Sequence, residues 1–251
     1  MKPDREHLRC FVAPEEWHGT ALTLREEERH YLLHVLRVRT GECVEVFDGA
    51  GRTGVARLEQ LDKHAVDLRL LEQQTQPRPT PEIILFQALP REATMDLIVQ
   101  KAVELGAGAI YPVFAERSIV RWKPAQYAEK CARWRRIALN AARQSQTAWL
   151  TQIAEIQSLA NFFQTLAKPD FWFVGSLAAN AQPLRAVLAA AREKMPRRIA
   201  ALIGPEGDLS PDEHRAAESA GAVPVSFGTS VLRVDTAALY ALSALKLTLT
   251  E

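Results

Sequence analysis

The sequence predicts a two-part α/β protein: a small β-rich domain, then a larger one built on a mainly parallel sheet covered by helices. Three observations carry this. Residues 73–81, QQTQPRPTP, hold three prolines and no large apolar side chain, the composition of an extended connector. Before it, short runs alternate in polarity; after it, apolar runs alternate with helical stretches. The 251 residues are 47% hydrophobic, enough for a real core. The domains are expected at 1–72 and 82–251, joined by 73–81.

In the first domain, Cys43–Phe47 and Ala65–Leu71 read as strands, with the glycine-rich turn DGAGRTG at 48–54 between them. In the second, strands are expected at Ile83–Ala88, Ala109–Phe114, Phe171–Gly175, Ile199–Ile203 and Ala222–Phe227. Helix boundaries are also written in the chain. Ser210, Pro211 and Glu213 supply a capping serine, a proline at the first helical position and a glutamate three residues after the serine. Gly106 closes a helix through Met95–Leu105, and Pro124 opens a long one through Trp134, Ile137 and Ala141.

Composition excludes several classes. Charged residues make up 24% and the net charge is +1, so nucleic-acid binding must be local. Cys10, Cys43 and Cys131 are odd in number and widely spaced, which favours a reducing compartment over a disulfide framework or metal site. The opening Met1–Arg9 is heavily charged, and the apolar stretch Ala237–Leu249 is short and carries Lys246. The reading is a cytoplasmic protein with no export signal and no membrane span. No G-x-x-x-x-G-K or G-x-S-x-G occurs. His30 and His34 have helical spacing but no evident third ligand, so no metal is expected.

Two segments concentrate chemistry. IAALIGPEGDLSPDE, Ile199–Glu213, is a strand, a glycine-rich loop and a capped helix, a place where α/β domains bind ligands. Gly204 and Gly207 permit close approach, Pro205 stiffens the turn, and Glu206 disfavours a polyphosphate. A structural turn with a solvated glutamate fits the pattern equally. FGTSVLRVDTAA, Phe227–Ala238, sets Arg233, Asp235 and Thr236 at the mouth of a very apolar helix. Alternatively Arg233 pairs with Asp235 and Thr236 caps the helix. A third feature is cationic: Arg117, Arg121, Lys123, Lys130, Arg133, Arg135, Arg136 and Arg143 face a single acid, Glu129, with Trp122 and Trp134 interleaved. A solvated helix face with core tryptophans competes with a phosphate-binding surface. Arg9, Arg37 and Arg39 can extend that surface.

Together GPEGDLSPDE and FGTSVLRVDTAA resemble the paired cofactor loops of the ribosomal RNA small subunit methyltransferase E family, within the SPOUT methyltransferases. RHYLLHVLRVRTGE at 29–42 is similar to the family's RNA-binding domain, and MDLIVQKAVELGAGAIYPVFAERS at 95–118 to its first β/α units. The resemblance implies a PUA-like β-barrel followed by a SPOUT domain with a C-terminal trefoil knot, a threading that pattern reasoning argues against. It implies a homodimer that uses S-adenosylmethionine to methylate N3 of a uridine in 16S rRNA of the small subunit. Carried over by position, the cofactor residues are Gly175, Leu202, Ile203, Gly204, Pro205, Glu206, Gly207, Phe227, Gly228, Ser230, Val231 and Leu232. Arg233 adjoins the reacting centre, stabilising charge on the base, with Asp235 or Glu206 orienting it or acting on the proton. RNA contacts are expected from Arg9, Arg37, Arg39, Arg117, Arg121, Arg135, Arg136 and Arg143. The chain departs from the family at Thr94, where lysine is usual, at Arg143 and Thr147, where glutamate and arginine are usual, and at Asp208, where a second glycine is common. A non-catalytic RNA-binding or assembly factor, or a SPOUT enzyme for another RNA, are the competing readings.

Overall fold

The computed structural model describes residues 8–61, 65–165 and 167–249; the charged opening through residue 7 lies outside them. The chain forms two compact units, one of residues up to Arg78 together with Ala142–Leu150, the other of Pro79–Ala141 and Thr151 onward.

In the first unit lie β1 (Arg9–Phe11), β2 (Trp17–His18), β3 (Ala21–Arg25), α1 (Glu26–His30), β4 (Cys43–Phe47), β5 (Arg52–Leu61) and β6 (Ala65–Thr75). A π-helical turn, Tyr31–Val35, continues α1. Among the described residues the strands form one sheet in the order β1-β4-β5-β6-β3-β2, with β1–β4 parallel and the other pairs antiparallel. Alternation decides the buried face: Val44, Val46, Val66 and Leu68 enter the core with Trp17, Leu22 and Leu58, while Asp67 and Arg69 stay outside.

The turn between β4 and β5 is held by Asp48, whose Oδ1 accepts from the Ala50 and Arg52 N–H groups at 2.8 and 2.9 Å. Gly51, at φ 100°, admits no side chain, since a Cβ there would sit 2.6 Å from Trp149 Cζ2. The segment Ala142–Leu150 is bound to this unit by Gly51 N–H donating to Ala148 O (3.1 Å) and Leu150 N–H donating to Gly49 O (2.9 Å). That association of residues distant in sequence was not visible in the sequence pattern.

The second unit contains β7 (Glu82–Ala88), α2 (Glu92–Glu104), β8 (Ala109–Phe114), β9 (Gln152–Ile153), β10 (Gln157–Ser158), α4 (Leu159–Thr165) and β11 (Phe171–Gly175). It continues with β12 (Gln182–Pro183), α5 (Leu184–Lys194), β13 (Arg198–Ile203), α6 (Pro211–Ser219), β14 (Val223–Ser226) and α7 (Val234–Leu249). The long helix α3 (Tyr127–Ser145) follows a 3-10 turn at Pro124–Gln126, so the proline opens the turn before the helix. The sheet runs β10-β8-β7-β13-β11-β14-β12, with β9 beside β8, every pairing among the described residues parallel. Ile84, Phe86, Trp172, Val174 and Leu202 pack on one face with Leu159 and Phe162 of α4 and Ala217 of α6. At its centre the Phe86 ring meets Phe162 at 4.6 Å and Trp172 at 5.8 Å, both edge to face. The C-terminal helix α7 packs against α2, α5, β7 and β13.

Ser210 caps α6 reciprocally with Glu213: each side chain accepts the other residue's backbone N–H. At the other end of the domain the expectation for Thr236 needs correction. Helix α7 begins at Val234, so Thr236 lies inside its first turn, its N–H donating to Asp235 Oδ1 at 2.8 Å. An Arg233–Asp235 ion pair does not form among the described residues.

Candidate cofactor and substrate cleft

Strands β13, β11 and β14 are neighbours and parallel, so the loops leaving their C-terminal ends emerge at one edge of the sheet. Between these loops, the start of α7 and the segment entering α2 lies a cleft of about 580 Å³, the size range of small-molecule sites. Every cofactor residue expected from the resemblance lines it except Leu202 and Gly207, and so do Arg233 and Asp235. Leu202 is buried in the core beneath the loop. Gly207 instead lies against Arg117, where a Cβ would be 3.1 Å from Arg117 Cβ. Arg91, Ser176, Leu177, Ser226, Val234 and Ala237 were missed but also line the cleft, as do Thr94 and Asp208, which the sequence marks only as departures from the family. Ser176 directly follows the strand expected at Phe171–Gly175, whereas Ser226 already lies inside the one expected at Ala222–Phe227 and ends the observed β14. No local pattern points to Arg91.

The loops are held internally and leave donors over. Asp208 N–H donates to Pro205 O at 2.9 Å, closing a turn after Gly204. Ser176 N–H donates to Val225 O at 2.9 Å, and Gly228, at φ 116°, reverses the chain after Phe227. Among the described residues the backbone N–H groups of Ser230, Val231 and Leu232 donate to no protein acceptor, which leaves them for a ligand or water. Gly175 faces Phe227: a Cβ there would meet the ring at 3.0 Å.

Charges in the cleft are distributed unevenly. The Glu206 carboxylate accepts the Arg91 N–H at 3.1 Å, joining the β13 loop to the entry of α2. Burial raises the Asp208 carboxyl, but hydrogen bonds from His214 and the Leu209 N–H, with the charges of His214 and Arg117, outweigh it and hold the group below the usual aspartate range. Arg233 is exposed, and its guanidinium has no ion pair among the described residues.

The expected RNA contacts divide. Arg9 is 2% exposed, its Nε 3.0 Å from Glu45, its guanidinium over the Phe47 ring and its Nη1 donating to Ala142 O. Arg143 is similarly enclosed, paired with Glu28 and stacked on Tyr31. Both are interior ties of the first unit, not surface cations. Arg135 is exposed but paired with Glu155, and Arg117 and Arg121 donate to backbone carbonyls. Arg37, Arg39 and Arg136 are exposed with no ion pair among the described residues. Trp134 is fully buried, so it belongs to the core. The rings of His30 and His34 lie 4.6 Å apart, and among the described residues no group of three or more His, Cys, Asp or Glu comes together. No described helix is long and apolar enough to cross a membrane.

A family model described as an RNA methyltransferase domain matches residues 76–246, and one described as an RNA methyltransferase PUA domain matches residues 24–71. Ribosomal RNA small subunit methyltransferase E of a Synechocystis strain is 33% identical over 94% of this chain and 76% of its own length. The chain belongs to the ribosomal RNA small subunit methyltransferase E family. The methyltransferase E of Mycobacterium bovis is 30% identical over 90% of this chain and 86% of its own. Among solved structures, methyltransferase E from Neisseria gonorrhoeae bound to S-adenosyl methionine superposes with a TM-score of 0.83, 29% identity and 96% and 97% coverage of the two chains. A Legionella pneumophila methyltransferase in complex with the cofactor SAM gives 0.85 at 29% identity, covering 96% of this chain and 97% of that one. The first unit is thus PUA-like and the second an α/β methyltransferase domain.

Proposed function

We propose that this chain is a methyltransferase that transfers a methyl group from S-adenosylmethionine to N3 of a uridine in 16S rRNA of the small ribosomal subunit. The observation that carries the reading is the cleft at three adjacent parallel strand ends, in a chain whose relatives carry that name and whose structural neighbours hold that cofactor. The cleft fits the group: it combines apolar wall from Ile203, Leu232 and Ala237 with the unengaged amides of Ser230–Leu232 and a glycine at 175 where a side chain would press on Phe227. When bound, the cofactor supplies an already activated methyl group on a sulfonium, without a metal.

The chain's own residues have the remaining tasks. The loops at 203–206 and 227–232, with Gly175, hold the cofactor and exclude water. Arg233 presents its guanidinium to the uracil oxygens as the N3 proton leaves, a cation met where charge develops. Asp235 keeps Oδ2 and Glu206 keeps Oε2 clear of the backbone donors that engage their other oxygens, so each can accept that proton. The first unit, which includes Ala142–Leu150, acts as the RNA-binding domain and the second as the catalytic domain, with Arg37, Arg39, Arg117, Arg121, Arg135 and Arg136 meeting phosphates. The trefoil knot is supported by β13 lying between β7 and β11 and by α7 returning to pack on β7, β13 and α2. A homodimer is supported by the exposed Tyr240 and Leu247 of α7. Ribosomal RNA as substrate supports a cytoplasmic location. Incubating the purified protein with small subunits and methyl-labelled cofactor should yield labelled N3-methyluridine; cofactor binding without transfer would instead indicate a non-catalytic RNA-binding factor.

A further inference from the structure

Asp208 holds a backbone conformation that most side chains do not favour. Its φ is 60°, the left-handed region where an L-residue crowds its own carbonyl, tolerated best by asparagine and aspartate after glycine. Two groups hold it there. The Leu209 N–H donates to Asp208 Oδ1 at 2.7 Å, and His214 Nε2, from the second turn of α6, lies 3.3 Å from the same oxygen. That oxygen also stands over the start of the loop: a Cβ at Gly204 would be 3.2 Å from it. Between them, Gly207 O accepts from Arg117 Nη1 at 3.2 Å. The turn from Gly204 to Asp208 is therefore fastened at its end by one carboxylate, which leans on the glycine at its beginning.

We propose that Asp208 is a positioning residue for the cofactor: braced by His214, it keeps the 204–208 loop in the form that receives the ligand. The inference rests on the cofactor reading above. Without the two hydrogen bonds, a side chain at 208 that disfavours positive φ lets the free loop populate other conformations, and affinity falls by the fraction that remains competent. Glycine reaches the same φ without steric cost, and asparagine keeps an acceptor for Leu209 N–H.

The test measures S-adenosylmethionine affinity of the full chain by titration calorimetry for the parent and for Asp208→Ala, Asp208→Gly, Asp208→Asn and His214→Ala, with a thermal melt of each. Asp208→Ala should weaken binding about five- to thirty-fold, the factor that a disfavoured left-handed residue represents. Asp208→Gly and Asp208→Asn should recover most of that loss, and His214→Ala should show a smaller loss. Parent-like binding by Asp208→Ala overturns the inference. So does equal weakening by Asp208→Gly and Asp208→Ala, which would make the carboxylate a direct ligand contact. A parent that does not bind the cofactor defeats the cofactor reading itself.

Discussion

Substituting Gly175 by alanine places one methyl group 3.0 Å from Phe227 Cε2, 3.3 Å from Cζ and 3.8 Å from Ile203 Cδ1. The half-buried Phe227 ring lies edge to face against Phe173 at 6.4 Å and Tyr240 at 5.8 Å, so its open direction is the cleft. Overpacking of this kind costs about 1–3 kcal/mol, and a single methyl that needs a few tenths of an ångström belongs at the low end. Since Gly175 and Phe227 both line the cleft, the displaced ring intrudes on the ligand. One kcal/mol corresponds to roughly five-fold in affinity. Gly175→Ala should therefore weaken S-adenosylmethionine binding about five-fold and lower the melting midpoint by about 2–4 °C, while Gly175→Val should lose on the order of a hundred-fold in affinity. Calorimetric titration and a thermal melt read both effects. In a Phe227→Leu background the alanine should cost less, giving a coupling of about 1 kcal/mol between the two sites. An unchanged affinity for Gly175→Ala, or an equal cost in both backgrounds, would refute the proposed wall.

Other consequences separate surface from interior. Arg136→Glu should weaken RNA binding and flatten its salt dependence by about one charge without altering cofactor affinity, and more so than Arg135→Ala, whose cation is already paired; filter binding across a salt series measures this. Arg143→Ala leaves the enclosed Glu28 without its cation and should destabilise the first unit by about 3 kcal/mol in urea unfolding, with no specific effect on cofactor affinity. Asp208 has its folded pKa below the usual aspartate value, so the folded state binds fewer protons there. Its stabilising contribution is fully present above the ordinary aspartate range and is lost as pH falls through the lowered folded value. Asp208→Asn should therefore reduce the slope of stability against pH on the acid side, read by urea midpoints across that range.

The sequence reveals local structure where residue type alone decides it. The Cys43–Phe47, Ala109–Phe114 and Phe171–Gly175 strands stand at the residues where alternation or apolar runs predict them, and Ser210 with Glu213 fixes the start of α6. The edges of the cleft are visible for the same reason, as glycines following apolar strands. What sequence hides is tertiary pairing. Arg9 and Arg143 look like surface cations until Glu45 and Glu28, distant in the chain, enclose them. Arg91 lines the cleft and donates its N–H to Glu206, 115 residues away. The place of α7 beside β7 and β13 depends on the chain's path through the sheet, which no local periodicity encodes.

Nucleoside mass spectrometry of small-subunit rRNA reads catalysis at the Arg233 cleft. In a strain lacking this protein, one N3-methyluridine should disappear from 16S rRNA, return with the parent chain, and stay absent with Arg233→Ala, whose rate should fall by about 10²-fold or more while its calorimetric affinity for S-adenosylmethionine is retained. A nucleoside profile unchanged by the deletion would mean that the protein does not methylate 16S rRNA, and one restored equally by Arg233→Ala would remove Arg233 from catalysis.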